Sequence, residues 1–180
     1  MEKLTHVELL DRHKNQPKRR LPFCAVLHHI RSLYNVGSIF RTADGVGLEK
    51  LWLCGITGTP PDPKISKTAL GAELKVPWEY VAGGEKCLKR LRALGYQIVF
   101  LEQMKESIPH HEFIPSGNVC LVLGNELCGI EDNLMDYCDS AIEIEMAGMK
   151  NSLNVTVAFG IAAYHIRQKL GSVLKGQHNS

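Results

Sequence analysis

Short apolar runs alternate with amphipathic segments along most of this chain of 180 residues. Six runs have the length and composition of buried strands, at residues 23–28, 50–54, 76–81, 97–101, 119–123 and 141–144. Apolar residues at helical spacing predict helices at 36–46, 85–94, 131–137 and 154–169. Three prolines within residues 55–64 predict a loop there. Strands that alternate with helices in this way predict an α/β domain, with a mainly parallel sheet flanked by helices.

The N-terminal segment has a different character. We divide the chain into a basic N-terminal arm at residues 1–21, predicted as a short helix and a connector, and a domain at residues 22–180. Between Arg12 and Arg20 the chain has five Lys or Arg residues and no acidic residue. Such a segment is either a solvated tail or a set of phosphate contacts. The candidate phosphate contacts are Arg12, Lys14, Lys18, Arg19 and Arg20, with Lys64 and Lys67 beyond the proline-rich loop.

The composition fits a globular protein and disfavours several classes. Hydrophobic residues form 44% of the chain, which suffices for a buried core. A net charge of +2 does not by itself indicate a nucleic-acid-binding protein, although a local basic patch is compatible with it. Six cysteines include no C-x-x-C pair, so we expect reduced, structural thiols in a cytoplasmic protein rather than a zinc ribbon. We find no apolar leader and no membrane-spanning stretch, and we expect no membrane association.

The last predicted helix is apolar on nearly all sides. Within residues 155–163 only Thr156 and Gly160 are not clearly apolar. A helix of this kind must be covered on nearly all sides, which a small domain rarely achieves for a terminal helix. We therefore predict that one face packs on the sheet and another on a second copy of the chain. The alternative is a fully buried helix in a monomer.

Three segments concentrate polar residues of chemical interest, at residues 35–47, 120–130 and 142–168. Each has an ordinary structural explanation when taken alone. Asn35 is a good helix N-cap, and Arg41 lies opposite the apolar face of its helix, as a solvated arginine does. Glu126 can face a helix dipole, and Ser152 and Asn154 can cap the last helix.

Together and in this order, the segments resemble the three motifs of the SpoU/TrmH family of RNA 2′-O-ribose methyltransferases, in the SPOUT superfamily. The family pattern is approximately N-x-G-x-x-x-R-T-A, then L-V-x-G-N-E-x-x-G, then I-x-M-x-G-x-x-x-S-L-N-V. The matching residues are Asn35, Gly37, Arg41, Thr42 and Ala43, then Gly124, Asn125, Glu126 and Gly129, then Ile144, Met146, Gly148, Ser152, Leu153, Asn154 and Val155. Two positions depart from the pattern, because Glu145 replaces a usual proline and Leu127 replaces a common second glycine.

The resemblance implies a SPOUT-type α/β knot, with a deep trefoil knot in the C-terminal half that composition could not indicate. It implies S-adenosyl-L-methionine as the cofactor, held bent in the knot loops, and it implies no metal. It also implies a homodimer that packs through the final helix and the helix of the first motif. The residues expected to bind the cofactor are Leu101, Glu102, Leu123, Gly124, Asn125, Ile144, Met146, Ser152 and Leu153.

The resemblance further implies methyl transfer to the ribose 2′-hydroxyl of RNA, with the key role at Arg41. Arg41 acts either as a base or as the group that binds a neighbouring phosphate and stabilises the developing alkoxide. We favour the second, because guanidinium has a pKa above about 12. Asn35, Glu126 and Asn154 are expected to orient Arg41 and the ribose, and Ser152 to support the cofactor loop or the ribose. Whether the active site combines residues of both subunits stays an open question.

The expected substrate is a structured RNA, and the compact chain favours tRNA over ribosomal RNA. One alternative is the same reaction on ribosomal RNA, and another is an inactive RNA-binding module of the same fold. An inactive module would be expected to have lost the polar motif residues, yet all of them are present. A nucleotide-binding oxidoreductase predicts a G-x-G-x-x-G turn after the first strand, and residues 29–37 have none.

Overall fold

We analysed a computed structural model, which describes residues 2–15 and 20–176. Its strands are β1 (Phe23–His28), β2 (Lys50–Cys54), β3 (Trp78–Val81), β4 (Tyr96–Leu101), β5 (Ile108–Pro109), β6 (Asn118–Leu123) and β7 (Ser140–Glu143). The α-helices are α1 (His6–Asn15), α2 (Leu33–Val46), α3 (Pro63–Ala69), α4 (Gly84–Ala93) and α5 (Val155–Gly176). Short 3-10 helices lie at Ala72–Leu74 and Asp132–Tyr137.

The seven strands form one sheet in the order β3-β2-β1-β6-β4-β7-β5, and every strand pairing in the described residues is parallel. All six residues of the interior strand β1 are buried, as a strand covered on both faces requires. The predicted α/β domain with a mainly parallel sheet is confirmed. Because the strands are parallel, the loops after β1, β4, β6 and β7 meet at one edge of the sheet, where α/β proteins place their binding sites.

Successive residues of β1 point to opposite faces of the sheet and enter two separate cores. One core joins Phe23 and Leu27 to helices α2, α3 and α5, with Phe40 and Phe159 fully buried. The other core joins Cys24 and Val26 to α4, and it contains the buried thiols of Cys54, Cys87 and Cys120. The sheet is therefore covered by helices on both faces, and the six cysteines are free thiols.

The prediction of a loop throughout residues 55–64 is wrong at its end. Helix α3 starts at Pro63, and Asp62 caps it by accepting a hydrogen bond from the backbone N–H of Lys64 at 2.8 Å. Proline is well suited to the first position of a helix, because its missing N–H has no partner there in any case. The prolines thus precede and open this helix instead of excluding it. The two-residue strand β5 also escaped prediction, because it is too short to show a period.

The trefoil knot implied by the resemblance stays a prediction, and the chain path is compatible with it. After β7, residues 144–154 run beside the segment that follows β4, where Gln103 Nε2 donates a hydrogen bond to the carbonyl oxygen of Asn151 at 2.6 Å. The chain then enters α5, which returns to pack on α2. Within the described residues, no helix has the length and apolar character needed to cross a bilayer.

The basic arm is described only in part. Helix α1 carries Arg12, whose side chain is exposed, whereas Lys18 and Arg19 lie outside the described residues, as does the side chain of Lys14. Arg20 differs from the expected phosphate contact. Its Nη1 and Nη2 donate to the carbonyl oxygens of Leu48 and Lys75, each at 2.6 Å. These bonds anchor the chain to the domain before β1, and Arg20 leaves our set of RNA contacts.

Candidate functional site

A cleft of about 480 Å³ lies at the carboxyl edge of the sheet, within the usual size range of small-molecule sites. Segments that follow β4, β6 and β7 line it, together with the start of α5. The residues predicted to bind the cofactor that line this cleft are Leu101, Glu102, Leu123, Gly124, Asn125, Ile144, Ser152 and Leu153. Met146 does not line it, and its predicted contact with the cofactor stays a prediction.

The turn after β6 is fixed by hydrogen bonds to Asn125. Its Oδ1 accepts from the backbone N–H groups of Leu127 and Cys128, at 2.9 and 3.1 Å. The backbones of Asn125 and Gly129 are paired in both directions, at 3.0 and 2.9 Å. Asn125 Nδ2 donates to the carbonyl oxygen of His29 at 2.9 Å, which ties the turn to the end of β1. We refer to residues 124–129 as the motif-two turn.

Two positions of the motif-two turn require glycine, because neighbouring atoms lie too close for a side chain. A Cβ at Gly124 would lie 2.3 Å from the backbone carbon of Gly129, so no side chain fits there without moving the backbone. Gly129 has a φ of +70°, a conformation that residues with side chains rarely adopt. A Cβ at Gly129 would also lie 2.5 Å from Glu102 Oε2. The glycines therefore keep the turn tight against the loop that follows β4.

Polar residues of all three motifs meet at the rim of the cleft. Glu126 Oε1 accepts a hydrogen bond from Asn35 Nδ2 at 2.9 Å, across 91 positions in sequence. Asn35 Oδ1 faces Asn154 Nδ2 at 3.5 Å, across 119 positions. Asn154 also caps α5, since its Oδ1 accepts from the Thr156 backbone N–H at 2.9 Å. The fold thus joins Asn35, Glu126 and Asn154, which sequence analysis grouped as residues that orient the reacting groups.

The ordinary explanation of Asn35 as a helix N-cap is wrong. Helix α2 begins at Leu33, and Ser32 is its N-cap, accepting from the Asn35 backbone N–H at 3.3 Å. Asn35 therefore lies in the first turn, where its side chain is available to Glu126 and Asn154. The predicted cap role of Asn154, in contrast, is confirmed, and its amide nitrogen still faces Asn35.

The carboxylate of Glu126 is held in its ionised form. Burial acts to raise its pKa, but hydrogen bonds from Asn35 and from the backbone N–H groups of Glu126, Arg31 and Ser32 together outweigh burial. The resulting pKa of Glu126 is below its usual value. Glu126 is thus an acceptor in this network at neutral pH.

The cleft has an acidic lining. Glu102, Glu126 and Glu143 line it, and none of the described lining residues is Lys, Arg or His. Glu102 accepts from the backbone N–H groups of Gln103 and Ile130, and Glu143 accepts from the hydroxyl of Ser107. A cavity with carboxylates and no cationic side chain favours a ligand with positive charge over a ligand with phosphate groups.

Arg41 lies outside this cleft. It is exposed on α2, six residues beyond Asn35, a rise of about 9 Å along the helix axis. Ser152 does line the cleft and is exposed. Lys64 and Lys67 are exposed on α3, and the Lys67 ammonium lies 5.9 Å from the centre of the Tyr34 ring. The described residues of one chain therefore do not bring the arginine of the first motif to the cleft formed by the other two motifs.

Several residues that line the cleft were not predicted from the sequence, and the clearest are Gln103, Glu143 and Asn151. Gln103 joins the loop after β4 to the loop after β7 through the carbonyl oxygen of Asn151. Glu143 and Asn151 adjoin motif residues, so the end of β7 was a signal for them. Nothing in the local sequence marks Gln103, because its contact is 48 positions away.

Comparison with known proteins agrees with this geometry. A family model described as the SpoU rRNA Methylase family matches residues 22–164. The chain belongs to the SpoU methylase family. The match includes the three motifs, so the network of Asn35, Glu126 and Asn154 is assembled from the matched region of a SpoU protein.

Individual SpoU relatives support this membership. The chain is 29% identical over 148 residues to the 23S rRNA (guanosine-2′-O-)-methyltransferase RlmB of Xanthomonas axonopodis pv. citri, covering 82% of this chain and 59% of that protein. It is 30% identical over 155 residues to the tRNA (guanosine(18)-2′-O)-methyltransferase of Aquifex aeolicus, covering 84% and 72%. An rRNA methyltransferase from Sinorhizobium meliloti, solved with bound AdoMet, superposes with a TM-score of 0.78 at 27% identity, covering 86% of this chain and 59% of that one.

The chain spans about three fifths of the length of the RlmB relative. Membership of the SpoU family and the seven-stranded α/β fold are thereby shown for residues 22–164, which contain the cleft and the three motifs.

Proposed function

We propose that this protein transfers a methyl group from S-adenosyl-L-methionine to the ribose 2′-hydroxyl of a structured RNA. The observation that carries the proposal is the junction of the three motifs, where Asn35, Glu126 and Asn154 meet at the rim of an acidic cleft. The relatives support it, because RlmB and the Aquifex aeolicus enzyme are both named as 2′-O-methyltransferases of RNA.

The cleft suits S-adenosyl-L-methionine in charge and in shape. The sulfonium and amino groups of this cofactor are cationic, and Glu102, Glu126 and Glu143 supply the matching negative field. Apolar side chains of Leu101, Leu123, Ile144 and Leu153 offer contacts for the adenine ring, with backbone groups at the ring edge. An NAD-type dinucleotide would place its pyrophosphate against carboxylates in this cleft and is disfavoured. A structural relative at 27% identity is itself AdoMet-bound.

The protein's own residues have to position and activate the RNA. When bound, S-adenosyl-L-methionine supplies an electrophilic methyl group, and no metal is needed for that step. Holding the ribose oxygen in line with this methyl group removes much of the barrier. Arg41 binds the phosphate next to the target ribose and stabilises negative charge on the 2′-oxygen as the hydroxyl proton passes to a solvent water. The network of Asn35, Glu126 and Asn154 keeps the ribose oriented at the rim of the cleft.

We propose that the active site is completed in a homodimer. Helix α5 buries Phe159, Ala162 and Ile166, while Val157, Ile161 and Tyr164 are 49%, 37% and 53% exposed. The exposed residues follow the spacing of one helix face, and we refer to them as the outward stripe of α5. A second copy that packs on this stripe covers it and brings its own α2, with Arg41, toward the cleft of the first chain.

The RNA contacts are proposed from charge and exposure. Arg12, Arg41, Lys64 and Lys67 are exposed in the structure, and Arg41 lies on α2 outside the cleft. Lys14, Lys18 and Arg19 stay in the proposal as arm residues without structural support. Such cations contact phosphates and give affinity without reading sequence. We favour tRNA over ribosomal RNA, since a dimer of compact chains offers a broad surface for a folded RNA, and we expect a cytoplasmic protein.

A transfer assay on separated RNA classes tests the proposal. The protein, with labelled S-adenosyl-L-methionine, is incubated with purified tRNA and with ribosomal RNA from cells that lack the gene. We expect stoichiometric label in tRNA. Label in ribosomal RNA instead overturns the choice of substrate and leaves the reaction intact. Calorimetry with S-adenosyl-L-methionine and with NADH tests the alternative of a nucleotide-binding oxidoreductase. Binding of NADH alone would overturn the proposed reaction. Cofactor binding with no transfer to any RNA would favour the inactive module.

A further inference from the structure

A second cluster of polar side chains adjoins the motif-two turn and is not part of the cleft. His28 ends β1, His29 follows it, and Glu131 precedes the 3-10 helix Asp132–Tyr137. His28 Nε2 lies 3.8 Å from Glu131 Oε2, and His29 Nε2 lies 3.5 Å from Glu131 Oε1. The two imidazole rings meet edge to face, with centres 4.1 Å apart. None of the three residues lines the cleft.

The donor atoms have the separation of metal ligands. One donor atom from each residue lies within 4.8 Å of the other two, and this is the one such His, Cys, Asp and Glu group in the described residues. Bonds of about 2.0–2.2 Å in a tetrahedral site hold ligand atoms roughly 3.3 Å apart. The distances from Glu131 to the two imidazoles, 3.5 and 3.8 Å, are close to this separation, and the half-exposed Glu131 side chain can move to close around an ion. Two imidazoles with one carboxylate suit Zn²⁺ and its transition-metal neighbours, whereas Mg²⁺ and Ca²⁺ prefer oxygen ligands throughout.

The surroundings hold both rings in place. A Cβ at Gly84 would lie 2.7 Å from His28 Nε2, and a Cβ at Gly55 would lie 2.4 Å from His29 Cε1, so backbone packs directly on each imidazole. His29 itself has a φ of +59°, which is uncommon for a residue with a side chain. Its carbonyl oxygen is fixed by Asn125 Nδ2 at 2.9 Å. A strained residue that is overdetermined by its neighbours is typical of binding sites.

One existing contact competes with metal binding at His29. His29 Nδ1 accepts a long hydrogen bond from the Ile56 backbone N–H, at 3.3 Å. A metal ion at His29 Nε2 requires the ring proton to be on Nδ1, so binding sacrifices the Ile56 contact.

We propose that His28, His29 and Glu131 form a three-ligand site for Zn²⁺ or a similar transition-metal ion, with an open position for water. The ion joins the end of β1 to the segment that follows the motif-two turn, outside the lining of the cleft. This role is separate from the expectation that methyl transfer needs no metal, and it does not rest on the proposed function.

Metal titration of the untagged, chelator-treated protein tests the site. Calorimetry with Zn²⁺ and the visible absorption of Co²⁺ are measured for the wild type, Glu131→Gln and His29→Gln. The matched control is His111→Gln, which removes an exposed histidine that contacts His110 instead of the cluster. For the wild type we expect saturable binding of one ion per chain and an intense four-coordinate Co²⁺ spectrum. We expect the metal affinity to fall by about tenfold or more in the two cluster variants only, since even residues that merely support metal ligands give losses of this size.

Circular dichroism and thermal unfolding without metal show that each variant is folded. Glu131→Gln is safe in this respect, because its side chain is 50% exposed. Absence of saturable Zn²⁺ binding to the wild type would overturn the proposal. Equal affinity in the wild type and both cluster variants, or a loss confined to His111→Gln, would overturn it as well. The titration needs neither RNA nor S-adenosyl-L-methionine, so its outcome is independent of the proposed methyl transfer.

Discussion

Glu126 receives hydrogen bonds from the side chain of Asn35 and the backbone N–H of Arg31, two groups that come close to it only in the folded chain. Together with other backbone N–H groups, they lower its pKa below the ordinary value of 4.5, against the opposite effect of burial. A lowered pKa in the folded state means that ionised Glu126 stabilises the fold at pH values above 4.5. This stabilisation is lost as the pH falls through the lowered pKa.

The variant Glu126→Gln is therefore expected to be less stable than the wild type at neutral pH, with a difference that shrinks below about pH 4.5. Glutamine is close in shape but cannot ionise, so it separates the charge from the packing. Urea unfolding of both proteins across this pH range measures the difference. A gap that keeps the same size in acid would show that the ionised carboxylate contributes nothing to stability.

Arg41→Ala is expected to lower kcat for methyl transfer by about 10²–10³, the usual loss when a donor to a developing oxyanion is removed. Because Arg41 is exposed and outside the cleft, thermal stability and cofactor affinity should stay near the wild-type values. Arg41→Lys serves as the control, since it keeps the charge but loses the forked donor geometry. Near-normal turnover of Arg41→Ala would contradict the assignment, and a loss of stability alone would favour a structural role.

The residues that belong to the motifs could be identified from the sequence, but their contacts in the folded chain could not always be predicted. Asn35 was recognisable as a motif residue, yet whether it caps α2 or bonds to Glu126 depends on a turn that starts at Ser32. Met146 belongs to a motif but does not line the cleft, because only the path of the chain decides which loop residues face the cavity. Arg20 was indistinguishable from its basic neighbours until its contacts with Leu48 and Lys75 were known.

The motif-two turn is the element on which the cleft depends, and its glycines can be tested. Gly124→Ala forces a Cβ to within 2.3 Å of backbone atoms of Gly129. We expect a loss of about 1–3 kcal/mol of stability, as for overpacked sites, together with weaker binding of S-adenosyl-L-methionine. Gly117→Ala is the matched control, because it lies outside the motifs and the cleft and no atom lies within 4 Å of a Cβ there. Thermal unfolding and calorimetry measure both effects, and equal behaviour of the two variants would contradict this account of the turn.

Strands and helices with a clear pattern of apolar residues could be predicted from the sequence, and elements without such a pattern could not. Strands β1 and β2 were predicted at their observed bounds, because a strand buried on both faces is an uninterrupted apolar run. Helix α3 was missed because its prolines were taken as breakers, although Asp62 and Pro63 together form a helix start. The length of α5 was underestimated, since its last turns lack the apolar pattern of residues 155–163.

The folding and the oligomeric state of the whole molecule depend on which faces of α5 are covered. The outward stripe of α5 is exposed, while Phe159 is fully buried within the chain. We therefore expect Ile161→Glu to give a folded monomer, and Phe159→Glu to unfold the domain. Leu94→Glu, at the end of α4 on the other side of the sheet and 57% exposed, is the control and should stay dimeric. Light scattering with thermal unfolding measures both properties, and a monomeric wild-type protein at micromolar concentration would contradict the dimer.

The central claim is that the chain methylates a ribose 2′-oxygen, and the position of the transferred group tests it most directly. The protein is incubated with its RNA substrate and S-adenosyl-L-methionine that carries a deuterated methyl group. The RNA is digested to nucleosides, and mass spectrometry separates ribose from base fragments. The account predicts that the deuterated methyl group is on the ribose of one nucleotide, and that Arg41→Ala loses it. A deuterated methyl group on a base, or its absence from every RNA fraction, would contradict the account.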